Sequence, residues 1–476
     1  MKPSYLCTRE EKNVVLENVP VTGYAAEGKA LARVDGKVVF LEGGVVPGDV
    51  VDVRLSKNKK DWAEGKATHI RSYSPQRTEP FCEHFGLCGG CKWQMLPYEQ
   101  QMAYKQQQVE DHLRRIGHLS FPPLEPILGA EHTRRYRNKL EFTFSNKAYL
   151  TDAEMPAKGE EIPRRNALGF HIPRLFDKVL DINTCHLMEE PANLIKNTIR
   201  AYAEKHDLSY YDIRQQQGWL RNLVLRVCST GEVMANLVVH HEDEALKGLL
   251  DHLLEQVPAI TTLLYTINPK KNDTIFDLEP KIWFGKGYVE EKLEDFTFKI
   301  GPKSFFQTNT YQGEALYKVT REFAGLTGKE TVYDLYCGTG SIGIFVSRQA
   351  KKVVGIELIK EAIDDAKENA AANGVANAEF FAGDVIDIAD DAFFAAHGAP
   401  DVIITDPPRA GMHEKLTAKL LEVAAPRIVY VSCNPATQAR DLALLSEKYT
   451  IERVRPVDMF PHTHHIENVV LLQRKY

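Results

Sequence analysis

The chain has 476 residues, a length that favours two or three domains over a single core. Hydrophobic residues make up 43% and charged residues 26% of it, which is typical of a globular protein and argues against long disorder. The formal net charge of -6 excludes a chain that coats nucleic acid indiscriminately, although local basic patches are allowed.

The N-terminal stretch MKPSYLCTREEKN has no apolar core of signal-peptide length, and no segment has the hydropathy of a membrane span. We therefore expect a cytoplasmic protein that does not bind a membrane. In a reducing compartment the eight cysteines do not indicate a disulfide framework. Metal binding and catalysis are then the informative alternatives for them.

The first block runs from about Val14 to Ile70 and reads as short strands broken by Gly and Asp. Apolar and polar residues alternate with a period of two, which predicts a small β-barrel in a first domain, residues 1–71. Lys57, Lys59 and Lys60 form a basic cluster in a loop between two strands. This cluster is either a solvated loop or a contact to a nucleic-acid backbone.

The second block, residues 72–294, has a mixed α+β pattern. A helix is predicted over residues 97–117, beginning at a proline. Its expected apolar face consists of Met102, Val109, Leu113 and Ile116. Later strands alternate basic with apolar residues, so that Arg137, Lys139 and Arg221 are candidates for phosphate contacts or for solvated strand charges.

A cysteine cluster lies at the start of this second block, in EPFCEHFGLCGGCKWQ. Cys82, Cys88 and Cys91 are close enough in sequence to bind one metal, and Cys185 in DINTCHLM is the candidate fourth ligand. Four thiolates suit zinc. A tight loop with three cysteines and one distant partner also suits a [4Fe–4S] cluster.

The third block, residues 295–476, alternates strands with helices and predicts a doubly wound parallel sheet. Its segment VYDLYCGTGSIGIF places a Gly-rich turn directly after a strand, where the backbone can approach a ligand closely. Glu357 ends the next strand and can accept both ribose hydroxyls, and Asp384 can accept from an adenine amine. The turn lacks the full GxGxxG spacing of a dinucleotide site. These features resemble class I S-adenosylmethionine-dependent methyltransferases.

Two further motifs indicate the chemistry. DVIITDPPRAG has Arg409 where amine methyltransferases carry a stacking aromatic, which favours another reaction. Methylation of uracil C5 fits, because a thiolate such as Cys433 in VYVSCNPATQARD can add at C6 and activate C5. Glu467, in DMFPHTHHIENVVLL, can then remove the C5 proton. The histidines of that stretch are interpreted as solvated or loop-capping residues.

Together SCNPATQARD, DPPRAG, DLYCGTG, SFFQTN and MFPHTHHIE resemble the RNA uracil-5-methyltransferases. The resemblance implies that Cys433 is the nucleophile and Glu467 the base. It also implies that Asp406, together with Arg409, lies near the target base, and it gives S-adenosylmethionine contacts at several positions. These cofactor positions are Gln307, Tyr336, Glu357 and Asp406, and also Ser341, where the family often carries Asn.

The resemblance covers nearly the whole chain. It implies a TRAM domain (an OB-like RNA-binding barrel), a central RNA-binding domain and a catalytic domain, with the helix at 97–117 crossing over to pack on the last. It favours a [4Fe–4S] cluster on the four cysteines over zinc, and a monomer. The implied substrate is a uridine flipped from a single-stranded loop of 23S ribosomal RNA.

Three alternatives stay open from the sequence. A T-loop uridine of transfer RNA is the rival substrate, although the minimal transfer-RNA enzymes of the family typically lack both the barrel and the cysteine cluster. A non-catalytic RNA-binding or ribosome-assembly factor is the rival from another class, and the intact Cys433, Glu467 and Gln307 argue against it. A zinc-stapled structural module is the third.

Overall fold

A computed structural model of the protein describes residues 14–151, 153–157, 159–161, 165–388 and 390–475. Within these ranges the chain forms a closed barrel, two seven-stranded sheets and a two-stranded hairpin. None of the helices described there is long and apolar enough to cross a membrane.

The N-terminal barrel closes in the strand order β1-β2-β3-β5-β4. These strands are Val15–Tyr24 (β1), Ala30–Val34 (β2), Lys37–Glu42 (β3), Val50–Asn58 (β4) and Trp62–Ser72 (β5). Alternate side chains point inward, as Val39 with Leu41 and Val51 with Val53 show, and all four are buried. The predicted barrel is confirmed, while residues 1–13 of the predicted first domain lie outside the described ranges.

Asp49 joins the barrel to the segment that follows it. Its carboxylate is fully buried and accepts hydrogen bonds from the backbone N–H groups of Val46 (2.8 Å) and Ser74 (2.9 Å). It also accepts from Nε (2.9 Å) and Nη2 (2.6 Å) of Arg77. Burial raises the pKa of Asp49, but the guanidinium and the two amides outweigh it and leave the pKa lowered. The charged carboxylate therefore fixes the exit of the barrel.

The helix predicted after the cysteine loop is present as α1, Tyr98–Arg115, directly after Pro97. Its buried face differs from the expected one, because Ile116 is exposed and two polar side chains are fully buried beside the apolar ones. The buried residues are Gln101, Lys105, Val109 and Leu113. The apolar part packs in one core with the C-terminal sheet, so α1 lies against the third block of the chain.

The central sheet has the strand order β12-β11-β10-β9-β6-β7-β8 and is antiparallel except for the β10–β11 pair. Its strands are Lys139–Ser145 (β6), Ala167–Ile172 (β7), Leu175–Asp181 (β8), Leu220–Val227 (β9), Val233–Val239 (β10), Thr262–Ile267 (β11) and Lys281–Phe284 (β12). Two helices, α2 (Ala192–Lys205) and α3 (Ala245–Gln256), share one apolar core with it. This is the mixed α+β pattern that the sequence predicts.

The C-terminal sheet has the order β17-β16-β15-β18-β19-β21-β20. A hairpin of two strands, β13 and β14, precedes this sheet in the chain. The strands of the sheet are Thr331–Leu335 (β15), Lys352–Glu357 (β16), Ala378–Ala382 (β17), Val402–Thr405 (β18), Arg427–Ser432 (β19), Tyr449–Val457 (β20) and Glu467–Arg474 (β21). Strands β15 to β19 are parallel, and β21 is antiparallel to both neighbours. The predicted doubly wound domain is confirmed.

Helices cover both faces of this sheet, which buries apolar strand residues on each side. They are Thr310–Ala324 (α4), Ser341–Val346 (α5), Lys360–Ala372 (α6), Val385–Ile388 (α7), Asp391–His397 (α8), Glu414–Val423 (α9) and Pro435–Leu445 (α10). A hairpin of β13 (Val289–Leu293) and β14 (Phe296–Ile300) packs in the same core as α4. The boundary predicted between residues 294 and 295 falls on the turn of this hairpin.

We expect Asp49→Asn to weaken the junction between the barrel and the following segment by about 1–3 kcal/mol, because the half-buried Arg77 loses its charged partner. Hydrogen exchange of the peptides that contain Val46 and Ser74 measures this locally. Asp35→Asn makes the same chemical change in an exposed turn of the same barrel and should leave exchange unaltered. Equal exchange in both variants would contradict the role assigned to Asp49.

Candidate active site

Three sequence motifs meet at one edge of the C-terminal sheet. The neighbouring parallel strands β15, β18 and β19 end at Leu335, Thr405 and Ser432. The turns DLYCGTGS, DPPRAG and SCNP follow these strand ends directly. Since the carboxyl ends of parallel strands lie at the same edge of a sheet, the three turns form the walls of one site.

The glycine turn after β15 has the backbone of a close-approach site. Tyr336 (φ 61°), Gly338 (φ 53°) and Gly340 (φ 74°) all adopt positive φ values. At Gly340 a side chain would also collide, since a Cβ there would lie 2.8 Å from Phe380 and 2.9 Å from Ala366. Glycine is needed for both reasons, and the turn leads straight into α5.

The two acidic residues predicted for the cofactor stand at the ends of the next two strands. Glu357 closes β16, and its carboxylate accepts from the N–H of Gly338 (3.2 Å) and of Ile359 (3.0 Å). This ties the predicted ribose acceptor to the glycine turn. Asp384 follows β17, and its side chain accepts from the N–H of Ile386 (2.9 Å) at the start of α7.

Ser341 and Gln307 are brought together by Tyr317, a residue that the sequence analysis did not single out. The Tyr317 hydroxyl lies 2.8 Å from Ser341 Oγ. Burial raises the pKa of Tyr317, while its hydrogen bonds to Ser341 and Gln307 oppose the rise. Tyr317 lies on α4, and only the folded chain places this helix beside the turn.

Asp334 was also missed, although it is visible as the first letter of DLYCGTGS. It is fully buried under the glycine turn, and its Oδ2 accepts from the N–H of Gly343 (2.8 Å) while its Oδ1 has no partner. Burial raises its pKa to about 8, with Asp406 and Glu357 adding to the effect. An acid in this position favours a cationic ligand in the pocket above it.

Strand pairing places Cys433 opposite Glu467. In the antiparallel β19–β21 ladder, Val431 pairs with Val469 and Ser432 with Asn468, so the next step of the register sets Cys433 against Glu467. Cys433 is half-buried, and Glu467 is 6% exposed. The thiol and the carboxyl are 34 positions apart in sequence and directly follow and precede the last pair of this ladder, Ser432 with Asn468, so that Glu467 lies close enough to raise the pKa of the thiol.

The electrostatics of this pair depend on two neighbours from the DPPRAG turn. Burial raises the pKa of Glu467 well above its ordinary value, and Asp406 adds to the rise while Arg409 opposes it. Burial likewise raises the pKa of Asp406 to about 7. The pKa of the Cys433 thiol rises to about 11 through burial and through repulsion by Glu467 and Asp406, and Arg409 again opposes this. The site therefore holds several acids and one compensating cation.

The Asn-Pro turn after Cys433 joins two walls of the site. Asn434 caps α10 by accepting from the N–H of Ala436 (3.2 Å), and Pro435 occupies the first turn of that helix. The Asn434 side chain also donates to the carbonyl of Arg409 (3.0 Å), as does the Thr437 hydroxyl (3.2 Å). The polar turn that follows the cysteine thus holds the arginine loop beside it.

In the histidine-rich turn before Glu467, His462 is buried and His464 and His465 are half-buried, so the turn is not solvated as one interpretation of the sequence had it. His462 Nδ1 lies 3.1 Å from Nε2 of Gln101, and the backbone N–H of His462 donates to Gln101 Oε1 (2.8 Å). Burial lowers the pKa of His462 to about 4, of His464 to about 3 and of His465 to about 4, so these side chains are neutral near pH 7.

The four cysteines of the second block share one neighbourhood. Burial raises the pKa of Cys91 to about 12, and repulsion from Cys88, Cys185 and Cys82 adds to it. The N–H of Gly90 donates to Cys88 Sγ (3.4 Å). Four neighbouring thiols have the donor chemistry of a tetrathiolate metal group, whether zinc or an iron–sulfur cluster. Among the residues described, no group of three or more His, Cys, Asp or Glu is placed to hold a metal ion.

Of the basic residues considered for phosphate contacts, Arg221 has a structural role. It is 1% exposed and donates to the carbonyls of Asn268, Lys270 and Asn272, as well as to Asp273. The prediction that Arg221 lies on an exposed basic face was wrong. Polar and apolar residues alternate along β9, but this central strand is buried on both sides.

Two other candidates for backbone contacts also have partners within the chain. Arg137 donates to the carbonyl of Lys139 (2.9 Å) and lies over the Phe460 ring. In the barrel, Lys57 pairs with Glu64 (2.7 Å). Lys59 and Lys60 are exposed, so they remain candidates for contacts to a nucleic-acid backbone.

Comparison with known proteins agrees with this geometry. The family described as tRNA (uracil-5-)-methyltransferase matches residues 231–475, and the TRAM domain matches residues 16–68. An uncharacterized RNA methyltransferase of Bacteroides thetaiotaomicron is 55% identical over 94% of this chain and 99% of its own length. One from Chlorobaculum tepidum is 40% identical over 98% of both chains.

Among solved structures, the Pyrococcus abyssi tRNA (uracil-54, C5)-methyltransferase in complex with S-adenosyl-L-homocysteine is similar to this chain with a TM-score of 0.71 and 27% identity. The match covers 95% of this chain and 100% of that one. Fold and site therefore define an enzyme that methylates RNA with S-adenosylmethionine. Within this class, the chain belongs to the RNA (uracil-5-)-methyltransferase family, and its first domain is a TRAM domain.

The charges around Cys433 predict how its reactivity depends on pH. In the protein without ligands, alkylation of Cys433 by iodoacetamide should stay slow at neutral pH and rise toward pH 11, because only the thiolate reacts. Glu467→Gln removes a repelling charge and should move the rise to lower pH. Arg409→Gln removes the compensating charge and should move it to higher pH. Mass spectrometry of the Cys433 peptide gives the rates, and shifts in the opposite directions would contradict this assignment.

Proposed function

We propose that the protein methylates C5 of a specific uridine in 23S ribosomal RNA, with Cys433 as the nucleophile and Glu467 as the base. The observation that supports this proposal is the end of the β19–β21 ladder, which brings the Cys433 thiol close to the buried Glu467 carboxyl. A thiol and an acid on two sides of one pocket are the two groups that C5 methylation of uracil requires.

In the first step, the Cys433 thiolate adds to C6 of the flipped uracil and forms an S–C6 bond, leaving an enolate nucleophilic at C5. C5 then attacks the methyl group of S-adenosylmethionine, whose sulfonium becomes the neutral thioether of S-adenosylhomocysteine. The Glu467 carboxylate takes the proton from C5, the S–C6 bond breaks, and the C5–C6 double bond forms again. The raised pKa of Glu467 suits it to accept a proton from carbon.

The cofactor contacts proposed for this reaction surround the glycine turn. Glu357 and Asp384 serve the ribose and the adenine, at the ends of β16 and β17. The remaining proposed contacts are Gln307, Tyr336, Ser341 and Asp406. The cationic cofactor would also offset the charge of the buried acids, among them Asp334. This charge compensation would lower the pKa of the Cys433 thiol and favour its attack.

Ribosomal RNA is proposed because the chain combines a TRAM barrel with the cysteine segment, a combination that the resemblance associates with 23S enzymes. A transfer-RNA uridine is the second candidate. It is favoured by the Pyrococcus abyssi enzyme, whose match covers 95% of this chain, so chain length alone does not separate the two RNAs. Both substrates present a uridine that has to be unstacked before reaction.

For the cysteine neighbourhood we propose a [4Fe–4S] cluster held by Cys82, Cys88, Cys91 and Cys185. The cluster would neutralise the repulsion among the thiolates and crosslink the loop at 82–91 to the strand end before Cys185. We propose a structural role for it, because the methylation reaction transfers no unpaired electron. We further propose that the protein acts as a cytoplasmic monomer with domains at 1–71, 72–294 and 295–476.

Modified RNA should distinguish the role of the nucleophile, Cys433, from the role of the base, Glu467. RNA that contains 5-fluorouridine should form a denaturation-stable adduct, because fluorine at C5 cannot leave as a proton. Cys433→Ala should form none. Glu467→Gln should lose turnover by about 10²–10⁴-fold on ordinary uridine RNA and accumulate the methylated adduct. Gel electrophoresis with peptide and nucleotide mapping identifies both ends of the bond.

Cys228→Ala and Glu452→Gln are the matched controls, since they make comparable changes away from the pocket. Offering 23S ribosomal RNA and transfer RNA side by side identifies the substrate. An adduct only with transfer RNA would establish the second candidate. If neither RNA forms one while S-adenosylmethionine still binds, the assignment of Cys433 fails.

Metal analysis tests the cluster. Protein purified without oxygen should contain iron and acid-labile sulfide in equal amounts and should be brown, and Cys88→Ser should lower both. Zinc in a colourless protein would instead support a zinc-thiolate site.

A further inference from the structure

The turn that carries Glu467 is held by residues far away in sequence. It connects β20 to β21 over residues 458–466, and its backbone bonds to three other parts of the molecule. The His462 carbonyl accepts from the N–H groups of Lys92 (2.8 Å) and Trp93 (3.0 Å), directly after the cysteine loop. The Met459 carbonyl accepts from Asn309 Nδ2 (2.8 Å), and the Pro461 carbonyl accepts from the Tyr136 hydroxyl (3.0 Å).

A buried ion pair lies at the start of this turn. Lys105 on α1 and Asp458 have fully buried side chains, and Lys105 Nζ donates to Asp458 Oδ1 (2.6 Å) and to the Phe460 carbonyl (3.2 Å). The Tyr98 hydroxyl donates to Asp458 Oδ2 (2.8 Å). The Asp458 carboxylate also accepts from the N–H of Phe460 (3.1 Å). Both charges are therefore paired and hydrogen-bonded, as deep burial requires.

We propose that Lys105 and Asp458 are positioning residues for the base, a proposal that rests on Glu467 acting as proposed above. The pair locks the turn at 458–466 to α1 and so fixes the first residue of β21, which is Glu467. An apolar pair of the same size would fill the space without directing hydrogen bonds to the Phe460 carbonyl and amide. The ion pair thus supplies orientation, because its charged atoms make directional hydrogen bonds to the Phe460 carbonyl and amide.

This arrangement also connects the base to the cysteine loop. Lys92 and Trp93 follow Cys91 directly, and both bond to His462 within the same turn. The Lys105 ammonium lies 5.9 Å from the centre of the Trp93 ring. The cysteine loop, α1 and the catalytic turn therefore form one packed unit, and displacement of α1 displaces the base.

The test uses the double variant Lys105→Met/Asp458→Asn, which removes both charges together and leaves no unpaired buried ion. Tyr98→Phe is a milder second variant that removes one hydrogen bond to the same carboxylate. The matched control is Lys147→Met/Asp212→Asn, at an ion pair of the central domain (2.9 Å) in which Asp212 is 1% exposed. Thermal unfolding of the full-length protein establishes that each variant is folded.

Two rates are measured, namely adduct formation on 5-fluorouridine RNA and release of methylated product from uridine RNA. We expect the double variant to form the adduct within about threefold of the wild-type rate but to release product at least about tenfold more slowly, accumulating methylated covalent complex. Tyr98→Phe should show the same split with a smaller effect, and the control pair should show none.

An equal loss of both rates would show that the pair has only a structural role and would overturn the proposal. An unchanged rate of product release in folded variants would also overturn it. If the double variant does not fold, Tyr98→Phe decides in the same way. Absence of any Cys433 adduct in the wild-type protein would instead overturn the proposed function itself, so the two failures are distinguishable.

Discussion

The antiparallel pairing of β19 with β21 is the interaction on which the site depends. Parallel strands alone would bring the three turns to one edge, but they would leave the last wall of the pocket open. Because β21 runs the other way, its first residue lies where β19 ends, and a carboxyl faces a thiol. A register slip of one residue would turn Glu467 to the opposite face of the sheet. Such a slip would also break the buried hydrogen bond from Asn468 Nδ2 to Gln438 Oε1 (2.8 Å).

The second constraint is electrostatic. The pocket concentrates carboxyl groups at Asp334, Asp406 and Glu467 and offers Arg409 as the nearby cation. Burial raises the pKa of all three acids, and a ligand with a sulfonium and an ammonium group beside them would favour their charged forms. In the mechanism proposed above, the same cationic ligand would also favour the thiolate of Cys433.

Much of this could be predicted from the sequence, because the informative features are local. The strand–glycine–helix order around Gly340 and the strand end at Cys433 depend on neighbouring residues. The features that could not be predicted depend on long-range packing. The buried face of α1 includes Lys105. The periodicity of the sequence assigns this charged residue to the exposed face, and it is buried because it pairs with Asp458. Arg221 has the pattern of an exposed strand charge, yet loop carbonyls from residues 268–272 surround it.

The Lys105–Asp458 pair has a consequence for how the chain is made. Its two members are 353 positions apart, so during synthesis the helix leaves the ribosome long before its counterion exists. An ammonium group cannot be buried alone at acceptable cost, and α1 therefore has to keep that face hydrated until Asp458 has been added. The final docking of α1 consequently follows the synthesis of β20. A nascent chain that ends before Asp458 would lack both the counterion of Lys105 and the strand that begins with Glu467.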